Sequence, residues 1–553
     1  MKNVKVFTLL LSVIGTATFA QDLEQAKKAV DAEQYDKAKK ILKSLVASDA
    51  NNGRNFFYLG DLYLNEKSVD SAKIYFEKGL AAKDKGALNY IGLGEMNLDS
   101  GDGFGAEANF AKATKDIKKK DTEEFLLIGR AYIKSDRPDF KKAIESLKKV
   151  LVVDPKSAQA YLSLGDAYYG DRNINESYSA YRNAYDYDNT LLLAKVKLAA
   201  ITKNTKAFPE AVKAFNEIVA INPNFGPVYR ELAETYYYWG ASETTNYNAY
   251  VKKALEYYEK YMSLTDYSLE SRMRHADFLI LAKDYKALEA EAKKMQQLDK
   301  VNPRILRYLG YSAHENGNHQ ESVKALNEFI AKAEAKKIIA RDYLYLGLAK
   351  IGLSKKADGK SYDKTFFDEG VVEINKAVEK DPVIASELNE FGLKLFKEKF
   401  YRESGKIFEV AVKNPKSKNY LYDNFYLGYS LYFNYDEKTS PKDELTKADL
   451  AFTNVIAASP TTQDAHLFKA KVNRIIDTPE SKKVMVGSYE EYIKIVKEKG
   501  ETEKAKNNLI EAYTYVGAYY ANNGDKAKAV ENLQALLVLE PGNKYATDTL
   551  KKL

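Results

Sequence analysis

Residues 509–542 read LIEAYTYVGAYYANNGDKAKAVENLQALLVLEPG, and their spacing decides the fold. Tyr513, Val516, Gly517 and Tyr520 recur three or four residues apart, which places them on one face of a helix. Asn523-Gly524-Asp525 makes a turn. Ala529, Leu533 and Leu536 line one face of a second helix, and Glu540-Pro541-Gly542 ends it. A single helical hairpin of this kind cannot bury its apolar faces alone, so the pattern should recur along the chain.

It does recur. Leu59-Gly60, Leu93-Gly94, Ile128-Gly129, Leu164-Gly165, Leu309-Gly310, Leu346-Gly347, Phe391-Gly392, Leu427-Gly428 and Val516-Gly517 each sit inside a helical pattern. A small residue usually follows the glycine by twelve positions, as at Ala72, Ala106, Ser177, Ser322, Ser404 and Ala529. An aromatic residue or Leu usually stands four positions further on. Mid-helix glycine costs roughly 1 kcal/mol against alanine. A chain repeats that cost only where a side chain would obstruct packing, so the spacing predicts a close approach between the paired helices. Proline punctuates the units, as in Asp154-Pro155, Asn222-Pro223, Asp381-Pro382 and Glu540-Pro541.

In these residues the chain resembles the tetratricopeptide-repeat family, whose unit is a helix–turn–helix of about 34 residues. Some copies match nearly throughout: Phe56, Leu59, Gly60, Tyr63, Ala72, Phe76, and again Phe125, Ile128, Gly129, Tyr132, Ala143, Leu147, Val150, Pro155. The resemblance implies an all-α, right-handed helical solenoid over residues 21–553, with thirteen to fourteen units, degenerate near 190–222, 265–303 and 463–497. The length of 553 residues agrees, because a solenoid core grows linearly with the number of units.

Residues 1–20 read as a secretory signal peptide. Lys2 and Lys5 give a basic start, Val6 to Ala17 is apolar, and Thr18-Phe19-Ala20 offers a cleavage site that would leave Gln21 first. The apolar run is too short to span a membrane, and no later stretch reaches the roughly 20 apolar residues a span needs. The chain has no cysteine, which suits a bacterial periplasm better than an extracellular eukaryotic setting, where disulfides are common. The expected location is the periplasm or the periplasmic face of the outer membrane.

The composition points away from several classes. There are 85 basic and 78 acidic residues, interspersed, and the net charge of +7 lacks the basic stripe that nucleic acid requires. The four histidines, His275, His314, His319 and His466, show no metal-ligand spacing; His314 and His319, five apart, would diverge on one helix. Gly101-Asp102-Gly103-Phe104-Gly105 lacks the Lys-Ser/Thr of a phosphate loop and reads as a turn. No cofactor, metal or catalytic residue is expected. No stretch longer than about fifteen residues lacks helical periodicity, which leaves no room for a catalytic domain.

What remains is a binding surface. The resemblance implies that the first helix of each unit faces a concave groove at set positions around the Leu-Gly pair. Those positions include Arg230, Glu234 and Tyr237, then Arg307 and Tyr311, then Phe425, Tyr429 and Tyr432. Neighbouring groove positions fall on Phe57, Asp61, Leu126, Arg130, Leu162, Asp166, Tyr238, His314 and Phe433. The Lys-Asn pair with which chaperone-tail-binding members hold a carboxylate is missing. Tyrosine, at 43 residues against one tryptophan, exceeds what the repeat positions consume, and Tyr and Arg anchor protein interfaces. A protein or peptide partner, in an outer-membrane complex for example, is the expected ligand, with a glycan chain or nutrient as the alternative. The competing expectation is that insertions near 239–250, 354–367 and 434–446 fold back over these rings.

Overall fold

The computed structural model describes residues 22–266 and 268–553. The expected leader, residues 1–20, lies outside the described residues. Among the described residues the protein is helical throughout, with two isolated β-bridges, Asn52–Asp84 and Lys355–Tyr362, and no strand. It is an all-α solenoid, as the periodicity requires.

The chain divides into two compact units at Asp284/Tyr285. In the first unit, helices 22–31 and Tyr35–Ser48 form the opening hairpin, followed by Gly53–Asn65 with Val69–Leu80 and Asn89–Ser100 with Gly103–Thr114. Three further hairpins lead to Gly226–Ser242 with Tyr247–Leu264, and the helix Leu269–Leu281 ends the unit. The second unit opens with Tyr285–Leu298 and continues through Pro303–Glu315 with His319–Lys332 and Ala340–Ser354 with Lys364–Lys380. Its remaining hairpins include Tyr420–Asn434 with Asp443–Ala458, and Gln463–Ile476 with Pro479–Glu498. Lys506–Asn522, Lys526–Leu539 and Lys544–Leu550 complete it. The stretches that lose the Leu-Gly pair are helical too.

The repeated glycines have a specific neighbour. A Cβ on Gly60 would lie 2.5 Å from the Phe76 ring, one on Gly94 2.4 Å from Phe110, and one on Gly165 2.3 Å from Tyr181. Gly310 meets Leu326, Gly392 meets Phe408 and Gly517 meets Leu533 in the same way. Each of these glycines receives the large side chain sixteen residues on, carried by the second helix, while Gly129 receives Leu147 and Gly428 receives Phe452 from further along. The small residue at twelve lets the helices approach: Ser177 Oγ donates to the Gly165 carbonyl at 2.8 Å and Ser404 Oγ to that of Gly392 at 3.0 Å. Only at Gly347 is the contact helix backbone, with a Cβ 2.6 Å from the Gly370 carbonyl oxygen.

The long insertions extend helices or form short turns. Residues 239–250 lengthen two helices, where Trp239 stacks on Tyr250 at 4.6 Å. Residues 355–363 make a turn closed by Asp363 N donating to the Ser354 carbonyl at 2.7 Å. First helices of successive hairpins also touch one another, as Gly53–Asn65 does Asn89–Ser100 and Tyr420–Asn434 does Gln463–Ile476. These first helices, packed side by side, are the inner helices of each unit.

Candidate functional site

The inner face of the first unit is charged, and its charges are engaged. Lys134 pairs with Asp61, Arg54 with Glu123 at 2.8 Å, and Lys197 with Asp166 at 3.0 Å. Lys203, 6% exposed, lies between Glu231 at 2.7 Å and Glu234 at 2.9 Å. Glu234 also accepts from Arg274 at 3.1 Å. Glu95 is buried in the same band; burial pushes its carboxyl up to about 8, against the attraction of Lys134 and with the repulsion of Asp61 and Asp99.

Arg230 ties this unit together. Its Nη1 donates to Glu33, whose other carboxylate oxygen accepts from the Tyr261 hydroxyl at 2.5 Å. Gln34 Nε2 donates to the Leu264 carbonyl at 3.2 Å, and Asp36 N to Asp266 Oδ2 at 2.6 Å. The opening hairpin thus docks on residues 226–266, over 190 positions away in sequence. Tyr237 packs edge-on against Phe278 at 6.2 Å. Between the opening helix and the inner helices remains a cavity of about 570 Å³, lined by Lys27, Asp31, Tyr58, Asp61, Arg130 and Gln159 among others. Arg130 is held there by Gln159 Oε1 at 2.5 Å and Ser163 Oγ at 3.0 Å.

In the second unit, Arg307 and Tyr311 correct the sequence-based expectation. Arg307 forms a fork onto Asp342, Nε to Oδ1 at 2.7 Å and Nη2 to Oδ2 at 2.8 Å. The Tyr311 hydroxyl donates to the same carboxylate at 2.7 Å, and so does Ile339 N. Tyr311 is 2% exposed and stacks on Tyr345 at 4.1 Å. Both side chains are spent bracing one hairpin to the next, because a buried carboxylate such as Asp342 needs its donors. Tyr311 is buried, while Arg307 keeps part of its side chain at the surface.

Phe425, Tyr429 and Tyr432 do come together, in a belt of rings on the inner helices. Phe425 lies 4.4 Å from Tyr429, which meets Phe468 edge-on at 4.5 Å and Phe396 at 6.1 Å. Tyr432 meets Phe468 at 5.2 Å, and Phe433 stacks on Tyr401 at 5.3 Å. The rings named from sequence are half-buried, and burial pushes the Tyr429 hydroxyl pKa well up. Their cover comes from Phe396 and Phe468 on the flanking inner helices. The open ring of the belt is Phe433, 45% exposed; Tyr422, 61% exposed, lies about three turns earlier on the same helix. Phe468 and Tyr422 were missed: Phe468 falls in a degenerate unit with no Leu-Gly pair to set its register.

Among the described residues no group of three or more His, Asp or Glu is placed to hold a metal, and no helix is long and apolar enough to cross a membrane. Paired helices stacked in this way define a helical-repeat scaffold. Family models described as tetratricopeptide repeat and TPR repeat match residues 23–87 and 131–171. Those residues carry repeats of the tetratricopeptide type, and the paired helices elsewhere follow the same all-α plan. This fold is typically a non-catalytic scaffold, and its members bind protein partners.

The chain is 24% identical over 232 residues to superkiller complex protein 3 of Homo sapiens and 23% identical over 234 residues to that of Mus musculus. The matches cover 40% and 41% of this chain but 15% of each relative's length. Among solved structures it is similar to the C-terminal part of a TPR repeat-containing protein from Cytophaga hutchinsonii, at 24% identity and TM-score 0.29, covering 50% of this chain and 99% of that one. MamA matches at 28% identity and TM-score 0.25, covering 30% of this chain and 95% of its own.

Proposed function

We propose that this protein is an interaction scaffold of the bacterial cell envelope that holds an extended segment of a partner protein along the inner face of its second unit. The observation that carries the reading is the aromatic belt around Tyr429 and Phe468, open to solvent at Phe433. Rings fixed by their neighbours lose little freedom on binding, which is why such residues anchor interfaces. The first unit's inner charges are satisfied internally and favour a bracing role for that unit. The leader-like residues 1–20 support export.

Two substitutions test it. Tyr422→Ala with Phe433→Ala should weaken capture of the native partner from envelope extracts by about tenfold or more, at roughly 1.5–3 kcal/mol for each fully covered ring. The thermal midpoint should stay within a few degrees, since both rings are exposed. Unchanged capture would remove the belt from the binding surface. Retention of glycans instead of protein on the same rings would replace the partner class. Export is tested separately: the mature chain should begin at Gln21 in the periplasmic or outer-membrane fraction.

A further inference from the structure

His314 lies in the last turn of Pro303–Glu315, and His319 opens His319–Lys332. On one continuous helix their spacing would separate them. The turn Asn316-Gly317-Asn318, with Gly317 at φ +83°, folds the chain back and brings the two imidazoles into contact. Their centroids are 5.0 Å apart with planes at 47°. The surroundings are built for this pair. Tyr345 meets His314 edge-on at 5.5 Å while its hydroxyl donates to Glu315 at 2.7 Å. Gly352 leaves the space His319 occupies, since a Cβ there would lie 2.4 Å from the ring.

Nδ1 of His314 and Nδ1 of His319 are both buried, and neither has a hydrogen-bond partner. An orphaned buried nitrogen on each of two rings in contact calls for a ligand, because buried polar atoms are normally satisfied. Two imidazoles sharing one tetrahedral ion, at about 2.0–2.1 Å from nitrogen to metal, place their centroids about 5 Å apart.

We propose that His314 and His319 form a two-imidazole site for one transition-metal dication of the Zn²⁺, Ni²⁺ or Cu²⁺ class, with water completing its coordination. Nitrogen ligands select such ions over Mg²⁺ and Ca²⁺, which take oxygen. The ion would clip the two helices of this hairpin across their turn.

The test is calorimetric titration of the untagged, chelator-treated full chain with Zn²⁺ at pH 7.5. One equivalent should bind, Mg²⁺ should not, and His314→Gln or His319→Gln should each weaken Zn²⁺ binding by about tenfold or more. His466→Gln should leave it unchanged. Circular dichroism without metal reports whether each variant folds. Should either variant unfold, the visible spectrum of the parent with Co²⁺ decides instead: bands of a nitrogen-ligated ion of low coordination support the site. No saturable binding, binding indifferent to both substitutions, or only the spectrum of the hydrated ion would overturn it.

Discussion

Gly165 shows what a single residue does in this fold. The Tyr181 ring occupies the place its Cβ would take, while the Tyr181 hydroxyl donates to Asp166 at 2.6 Å. Gly165→Leu should cost about 1–3 kcal/mol or more through overpacking, read as a lower thermal midpoint of the first unit. Equal stability would mean that the ring moves aside freely. Gly524 differs: nothing surrounds it, but its φ of +82° penalises any side chain, so its tolerance is limited by backbone and not by space. Glu95 gives a pH signature. Its folded proton affinity is raised, so the folded chain holds a proton that the unfolded chain has released above about pH 4.5. Its contribution is complete below that pH and is lost as pH rises towards 8. Chemical denaturation from pH 5 to 8.5 should show the first unit weakening by a few kcal/mol at most, and Glu95→Gln should flatten that slope. An unchanged slope in the variant would assign the pH dependence elsewhere.

At the scale of helices and turns, the Leu-Gly period made the hairpins legible, because in most units the glycine and the large side chain it receives lie sixteen residues apart. The turns were legible in part. Gly101, Gly317 and Gly524 take left-handed backbone, but so do Lys67, Arg172, Lys206 and Lys399 at equivalent turns, where sequence gives no glycine to announce it. The groove positions were less legible still. Counting from the Leu-Gly pair found Phe425, Tyr429 and Tyr432, yet whether a ring is open depends on the next hairpin, and Phe468 there carries no motif. The same blindness applied to Tyr311, whose partner Asp342 belongs to the following unit. Phe468→Ala should cost roughly 1.5–3 kcal/mol and leave Tyr429 and Tyr432 open to solvent. Increased reactivity of these two tyrosines towards an exposed-tyrosine reagent checks it; no change would show that other groups cover them.

At the scale of the molecule, each unit has its own means of cohesion. The first returns on itself through Glu33, Arg230 and Tyr261, a contact no local pattern announces, because it depends on how small rotations accumulate from hairpin to hairpin. Glu33→Gln should cost the first unit about 1.5–3 kcal/mol, the worth of hydrogen bonds to a charged group. Hydrogen exchange should then quicken in residues 22–48 and 226–264 together; protection that persists in both would show that the closure holds without the ion pair. The second unit carries the belt of rings that is open at Phe433, and binding there is the central claim. A photo-crosslinking amino acid placed at Phe433, compared with one at Val538, which is 80% exposed on a second helix, tests it most directly in the native cell. The account predicts one discrete partner adduct from position 433 and none from 538; equal labelling at both positions, or adducts from 538 alone, would contradict it.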